Sequence, residues 1–159
     1  MKQYTTNARV NVATNATHTM IGYASPATVA SVAPASLVSG LFWLVRNGAP
    51  YVNQSREYPA TGSAPTFVTE RAPRTGTGVR ADGVGMTLAV DGIEGASLGA
   101  DLFEFADLFL EYGAVHAMNN DGGGSTTTAL HGKVFNTPHC SDSRTVCERA
   151  VTSITCVSE

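Results

Sequence analysis

Apolar and polar positions along the chain read as short strand segments through a β-rich first half, and a helical period follows. Ala8 to Val12 and Thr17 to Tyr23 alternate in character and predict two strands of a hairpin, joined across Ala13 to Ala16. The small residues from Ala24 to Ser36 show little periodicity and read either as a surface connection or as a weak helix. From Gly40 to Arg46 the chain is apolar and aromatic, Asn47-Gly48 is the dipeptide of a tight hairpin turn, and Tyr51 to Asn53 is expected to return as a strand. Glu57 to Pro65 reads as a loop. Phe67 to Glu70, Thr75 to Arg80 and Gly85 to Val90 predict further strands, the last pair linked by a turn at Ala81-Asp82-Gly83.

The period changes at Leu98. Leu98, Leu102, Phe105, Phe109 and Tyr112 recur at helical spacing, Ser97 offers a cap, Asp101 suits the first turn and Gly113 can end the helix. Ala114 to Asn119 then reads as a buried strand, interrupted by Asp121-Gly122-Gly123-Gly124-Ser125. Thr126 to Leu130 and Lys133 to Phe135, around a turn at His131-Gly132, predict a closing hairpin, and Ala150 to Val157 a last strand. The expected fold is α+β: a mixed β-sheet with hairpins and one main amphipathic helix packed on it, in a single domain covering 1–159. The recurring Asp-Gly pairs are turn chemistry rather than a repeat.

Composition narrows the function classes. At 159 residues, with 43% apolar and 14% charged residues, the chain can bury roughly two thirds of its unfolded surface in one core. The net charge of −3, with no basic cluster denser than Arg71, Arg74 and Arg80, argues against nucleic acid and against a polybasic membrane patch. Met1 to Met20 lacks the basic-then-apolar pattern of a secretory signal, and the longest apolar stretch, Gly40 to Val45, is far below the ~18 residues of a membrane helix, so a soluble chain is expected. Cys140, Cys147 and Cys156, with sequons at Asn15 and Asn53, fit a secretory-pathway protein, although such sequons also arise by chance. No pair among His18, His116, His131 and His139 has zinc spacing, and Cys140 and Cys147 are too far apart for a zinc knuckle. A disulfide is the better reading of that pair, and no metal or cofactor is expected.

Glycine, at 16 residues, is the compositional outlier and suggests tight turns and close backbone approach to a ligand. The three glycines after Asp121 offer amides that could converge on an anion, with the hydroxyls of Ser125 and Thr126 beside them. Asp121, at the end of a buried strand, suits a nucleophile, a general base or an anchor for a sugar hydroxyl. The polar run Asn119-Asn120-Asp121 after an apolar strand is costly unless used. The plainer alternative is a glycine loop whose Asp caps its own backbone. Arg74, in Arg71-Ala72-Pro73-Arg74-Thr75-Gly76-Thr77-Gly78, offers a bidentate fork for phosphate, against the alternative of an ordinary surface arginine. Asp91, before Gly92, is either a second carboxylate of the site or a simple turn.

Taken in order, Arg74-Thr75-Gly76-Thr77-Gly78, the strand ending in Asp91-Gly92, the amphipathic helix and Asn119-Asn120-Asp121-Gly122-Gly123-Gly124-Ser125 resemble the phosphodiester glycosidase family. Leu37 to Gly48, Tyr51 to Ser55 and the ending with His139-Cys140, Cys147 and Val151 to Val157 including Cys156 are similar to it as well. Asn120 and Ile93 depart from its pattern, standing where an apolar and a polar or basic residue are usual. The family's domain begins with further strands that have no counterpart before Met1, so the resemblance implies the carboxy-terminal part of such a domain. It implies that Cys140 pairs with Cys147 and that Cys156 pairs upstream in relatives, leaving it free here. It also implies exposed apolar sheet surface and hence association of copies.

The chemistry implied by the resemblance is hydrolysis of a sugar-1-phosphodiester, in which water attacks the anomeric carbon and a phosphomonoester departs. Asp121 would act at the anomeric centre as base or nucleophile. Arg74 and the amides of Gly122, Gly123 and Gly124 would stabilise the phosphate, with Asn119, Ser125, Thr126 and Asp91 as further substrate contacts. The implied substrate is N-acetylglucosamine α-linked through phosphate to mannose on glycoprotein glycans, in a Golgi-type compartment serving lysosomal enzyme targeting. The competing readings are a non-catalytic glycan- or phosphate-binding module and a hydrolase for a different sugar phosphodiester.

Overall fold

The computed structural model describes residues 9–57, 64–140, 142 and 147–157. The first alternating stretches form an antiparallel hairpin of β1 (Val10–Thr14) and β2 (Thr19–Tyr23). The ambiguous small-residue stretch becomes a short helix, α1 (Pro26–Val32), followed by a strand, β3 (Ser36–Ser39), on the other side of β1. Ser25 caps α1 through Oγ, which accepts from the Thr28 amide at 3.0 Å, and Pro26 brings the preset φ of a first helical residue. These strands make one small sheet, ordered β2-β1-β3.

A larger sheet follows. β4 (Trp43–Arg46) and β5 (Ala49–Pro50) turn at Asn47-Gly48, both residues at positive φ as a two-residue hairpin requires. The return strand expected over Tyr51 to Asn53 is instead a 3-10 turn at Val52–Gln54: Val52 enters the core while Tyr51 packs edge-on against Trp43. Phe67 to Glu70, also expected as a strand, belongs to helix α2 (Ala64–Thr69), which the Glu70 amide closes on the Thr66 carbonyl at 2.7 Å. Phe67 stacks on Phe42 and Val68 is fully buried, so this apolar pair reaches the core from a helix. β6 (Arg74–Arg80) and β7 (Gly85–Val90) form the expected hairpin.

Helix α3 (Leu102–Glu111) starts later than the Leu98 periodicity predicts, because Ser97 and Gly99 sit at φ 55 and 120, outside helical space. Asp101 is the cap: its Oδ1 accepts from the Phe103 and Glu104 amides at 2.8 Å, and Glu104 reaches back to the Asp101 amide. β8 (Ala114–Gly122) continues past the expected Asn119 and lies between β4 and β6 in the order β5-β4-β8-β6-β7, with every pair antiparallel.

The glycines of Thr75-Gly76-Thr77-Gly78 explain how α3 lies on this sheet. A Cβ at Gly76 would stand 2.8 Å from the Phe109 ring and 2.9 Å from Phe105, and one at Gly78 would stand 2.8 Å from Phe109. These glycines make a groove for two phenyl rings rather than an approach for a ligand. Phe105 and Phe109 are fully buried with Phe42, Leu44 and Leu102, each contributing about 1.5–3 kcal/mol. The α+β expectation holds.

Val10, Ile21, Trp43 and Met118 form a second cluster joining the two sheets. Glu57, only 3% exposed, fastens this seam. Its Oε1 accepts from the Val10 amide at 2.6 Å, and its Oε2 accepts from Ser55 Oγ at 2.5 Å and Tyr23 Oη at 3.0 Å. Ser55 Oγ in turn accepts from the Trp43 amide at 2.9 Å.

The closing hairpin is short, β9 (Ala129–Leu130) and β10 (Lys133–Val134), with His131 and Gly132 at positive φ in its turn. Ala150 to Val157 forms no strand, and Val151, Ile154 and Val157 are exposed rather than set into a sheet. Cys140 and Cys147 are disulfide-bonded and Cys156 is an exposed free thiol. Among the described residues no helix is long and apolar enough to cross a membrane, and no cluster of His, Cys, Asp and Glu could hold a metal ion.

Candidate functional site

β8 is the middle strand of the larger sheet, and its outgoing end changes character abruptly. Ala117 and Met118 are fully buried, as the apolar pattern requires, but Asn119 is buried too, at 1% exposure. Among the described residues neither its Nδ2 nor its Oδ1 has a hydrogen-bond partner. The backbone on either side is secured: the Asn119 amide donates to the Phe42 carbonyl at 3.0 Å, and its carbonyl accepts from the Leu41 amide at 2.9 Å. A buried amide side chain left unpartnered costs about 1–3 kcal/mol, which marks a place where another molecule can supply the partners. Asn120 donates through Nδ2 to Thr77 Oγ1 at 2.8 Å. Asp121 and Gly122 stand opposite Thr75 and Arg74 of β6, with the Asp121 side chain exposed.

Asn119, Asn120, Asp121, Gly122 and Gly123 line a cleft of about 180 Å³ together with Leu41, Phe67, Glu70, Ala72, Arg74, Glu94 and Arg149. Three carboxylates and two guanidiniums thus border an unpartnered amide, which is the convergence of polar groups that a ligand site needs.

Arg74 is brought here by β6, but most of its guanidinium is already engaged. It is 2% exposed, its Nε donates to the Ala100 carbonyl at 3.2 Å, and its Nη2 donates to the carbonyls of Phe67 at 3.0 Å and Glu70 at 2.8 Å. It stacks over the Phe67 ring at 4.6 Å and collects the open carbonyls at the end of α2. Burial pushes its pKa below the ordinary arginine value, opposed by Glu70, Asp101 and Glu94. The expectation of a free bidentate fork is therefore corrected. Nη1 alone has no partner among the described residues.

The glycine run also differs from an open amide cradle. The Gly122 amide donates to Oδ1 of Asp121 at 2.8 Å and the Gly123 amide to the Pro73 carbonyl at 3.0 Å, so that of the three only the Gly124 amide has no partner among the described residues. Their main service is room. A Cβ at Gly122 would lie 2.5 Å from the Pro73 carbonyl oxygen, and one at Gly123, at φ +57, would lie 2.6 Å from Oε1 of Glu94.

Other expected site residues stand apart from the cleft lining. Asp91 accepts from Asn136 Nδ2 at 2.8 Å through Oδ1 and from the Thr137 amide at 2.9 Å through Oδ2, so it fastens the segment after β10. Thr126 is buried with its Oγ1 3.4 Å from Thr75 Oγ1, and neither Ser125 nor Gly124 lines the cleft. Glu94 and Arg149 were missed. Glu94 follows the Asp91 turn between Gly92 and Gly95, and Arg149 lies just past Cys147, so each was signalled only by its proximity to a feature read for another purpose.

Residues 2–158 match the family model described as phosphodiester glycosidase, and the chain belongs to that family. Among its relatives is the N-acetylglucosamine-1-phosphodiester alpha-N-acetylglucosaminidase of Bos taurus, 39% identical over 130 residues that cover 77% of this chain and 24% of that protein. The Homo sapiens enzyme of the same name is 38% identical over 130 residues, 77% of this chain and 25% of its own. The chain spans about a quarter of the length of these relatives. The catalytic domain of the zebrafish enzyme, auto-inhibited by its pro-peptide, superposes with a TM-score of 0.78 at 29% identity, covering 90% of this chain and 50% of that one.

Proposed function

We propose that this chain hydrolyses a sugar-1-phosphodiester, releasing N-acetylglucosamine from GlcNAc-α-1-phosphomannose on glycoprotein glycans and exposing mannose 6-phosphate. The observation that carries this reading is the pairing of Asn119, buried with both polar atoms unpartnered, with the exposed carboxylate of Asp121 in one cleft. Asn119 suits the hydroxyl and acetamido groups of the sugar, since its amide both donates and accepts. Asp121 acts at the anomeric carbon, as base toward water or as nucleophile. The bond from the anomeric carbon to the phosphate oxygen breaks, its electron pair stays on that oxygen, and the water supplies the hydroxyl of the released sugar. The leaving phosphomonoester is a stable anion and needs little proton assistance, so electrostatic support matters most. Arg74 supplies part of that support through its fixed charge beside Gly122. No cofactor enters this scheme. The relatives' names and the Cys140–Cys147 disulfide support a place in the secretory pathway, with a Golgi-type compartment as the setting.

The test is release of N-acetylglucosamine from a methyl mannoside joined through its 6-phosphate to N-acetylglucosamine. Wild-type protein should liberate the sugar, and Asp121→Asn should lose at least about 10²-fold in rate at an unchanged unfolding temperature. A variant keeping more than about a tenth of the rate would reduce Asp121 to a residue that caps its own glycine loop.

A further inference from the structure

Part of the cleft's polar lining does not come from the sheet. Arg149, which follows the Cys140–Cys147 disulfide in the tail, lines the cleft together with groups carried by β6 and β8. Two bonds to one carboxylate orient its guanidinium: Nε donates to Oδ2 of Asp142 at 2.5 Å and Nη2 to Oδ1 at 3.1 Å. That is the planar fork geometry which fixes an arginine in direction as well as in place. Asp142 lies inside the loop closed by the disulfide, and the Arg149 amide donates to the Gly124 carbonyl at 3.4 Å, docking the tail on the glycine run itself. Beyond this point, residues 150–157 have no regular structure to hold it.

Charge around the cleft makes this placement consequential. Asp121, Glu94 and Glu70 contribute negative charge, and an anionic diester entering among them requires cations. Arg74 is almost fully buried with two of its three nitrogens on backbone carbonyls, whereas the Arg149 side chain is 32% exposed. The hydrogen bond that Arg149 donates to Asp142 chiefly raises its pKa; burial opposes this, and the charges of Asp142, Glu94 and Asp121 add to the rise.

We propose that Arg149 is the residue of this chain that contacts the phosphate of the substrate, and that Asp142 and the Cys140–Cys147 disulfide are its positioning device. This rests on the phosphodiester reading of the site and names the group that selects the phosphate. Substrate preference is thereby tied to an oxidised tail, since the Cys140–Cys147 bond ties the chain together on both sides of Asp142, the residue that orients Arg149.

The experiment compares calorimetric binding of N-acetylglucosamine 1-phosphate with that of N-acetylglucosamine, for the full chain and its variants. Arg149→Gln should weaken the phosphorylated sugar by about tenfold or more while leaving the neutral sugar unchanged, as expected for loss of charge-assisted bonds. Asp142→Asn and the Cys140→Ser/Cys147→Ser pair should lose part of the same preference, and Arg149→Lys should restore only part of it. An Arg149→Gln chain that keeps the wild-type preference for the phosphorylated sugar overturns the assignment. So does one that loses both ligands equally, which is the behaviour of a structural residue. Sugar release from the diester is scored separately: hydrolysis with an unchanged preference in Arg149→Gln sinks only this assignment, and a lost preference without wild-type hydrolysis sinks only the hydrolase reading.

Discussion

Glu57 and Asn119 are both buried polar side chains in the larger fold, and they are satisfied in opposite ways. Glu57, at the seam between the sheets, accepts from the Val10 amide, Ser55 Oγ and Tyr23 Oη. Asn119, at the end of β8, has no partner for either side-chain atom among the described residues. The first arrangement converts the cost of burial into a fixed junction between β1, β2 and the 3-10 turn. The second leaves that cost standing in a cleft shared with Asp121, Glu94 and Arg149, where a ligand can remove it. The satisfied group holds the fold together, and the unsatisfied one lines the cleft with Asp121.

Substitutions sharpen the contrast. Glu57→Ala leaves three donors unpaired at once and should cost about 3 kcal/mol or more, lowering the unfolding temperature by roughly 6–12 °C in thermal melts. Activity should survive wherever the fold does. Arg74 belongs partly to each side of the comparison, since it holds three carbonyls while lining the cleft. Arg74→Lys should cost about 2 kcal/mol in denaturant titrations and weaken phosphate-bearing ligands as well, because an ammonium cannot span the same carbonyls. If stability is untouched, the role of Arg74 at the end of α2 is wrong.

His116 gives the smallest effect. It lies on β8 away from the cleft with Nδ1 buried and without a partner among the described residues, and burial first, then Arg46, lowers its pKa below the ordinary 6.5. A lowered value means that the unfolded chain binds the proton more readily than the folded one. The stabilisation is therefore complete above pH 6.5 and is lost as the pH falls through the lowered folded value. His116→Gln should flatten the decline in unfolding temperature below that pH, and an unchanged slope would assign the decline to other groups.

Much of the fold was legible because its signals are local. The β6–β7 hairpin and the Asn47-Gly48 turn follow from alternation and turn chemistry within a few residues. Helix α3 was legible in its apolar stripe but not at its start, where the positive φ of Ser97 and Gly99 comes from a loop packed against Ala72. α2 was misread as a strand because Phe67 and Val68 look the same in either state, and the contacts that decide, Phe42 on Phe67 and Arg74 on the α2 carbonyls, come from distant parts of the chain. At the site, Asn119 and Asp121 stood out as a polar end on an apolar strand. Glu94 and Arg149 arrive on loops without periodicity, and the glycines of β6 take their role from phenyl rings on α3.

The central claim, that the end of β8 is built for a ligand at the expense of stability, is tested most directly in Asn119→Leu. Its unfolding temperature and its affinity for N-acetylglucosamine 1-phosphate should be measured side by side with the wild type. An apolar group of similar shape removes the unpartnered amide, so the variant should melt at the wild-type temperature or above it while binding about tenfold more weakly. A variant that melts lower and binds as well as the wild type would show that Asn119 serves the fold, and the account of this cleft would be wrong.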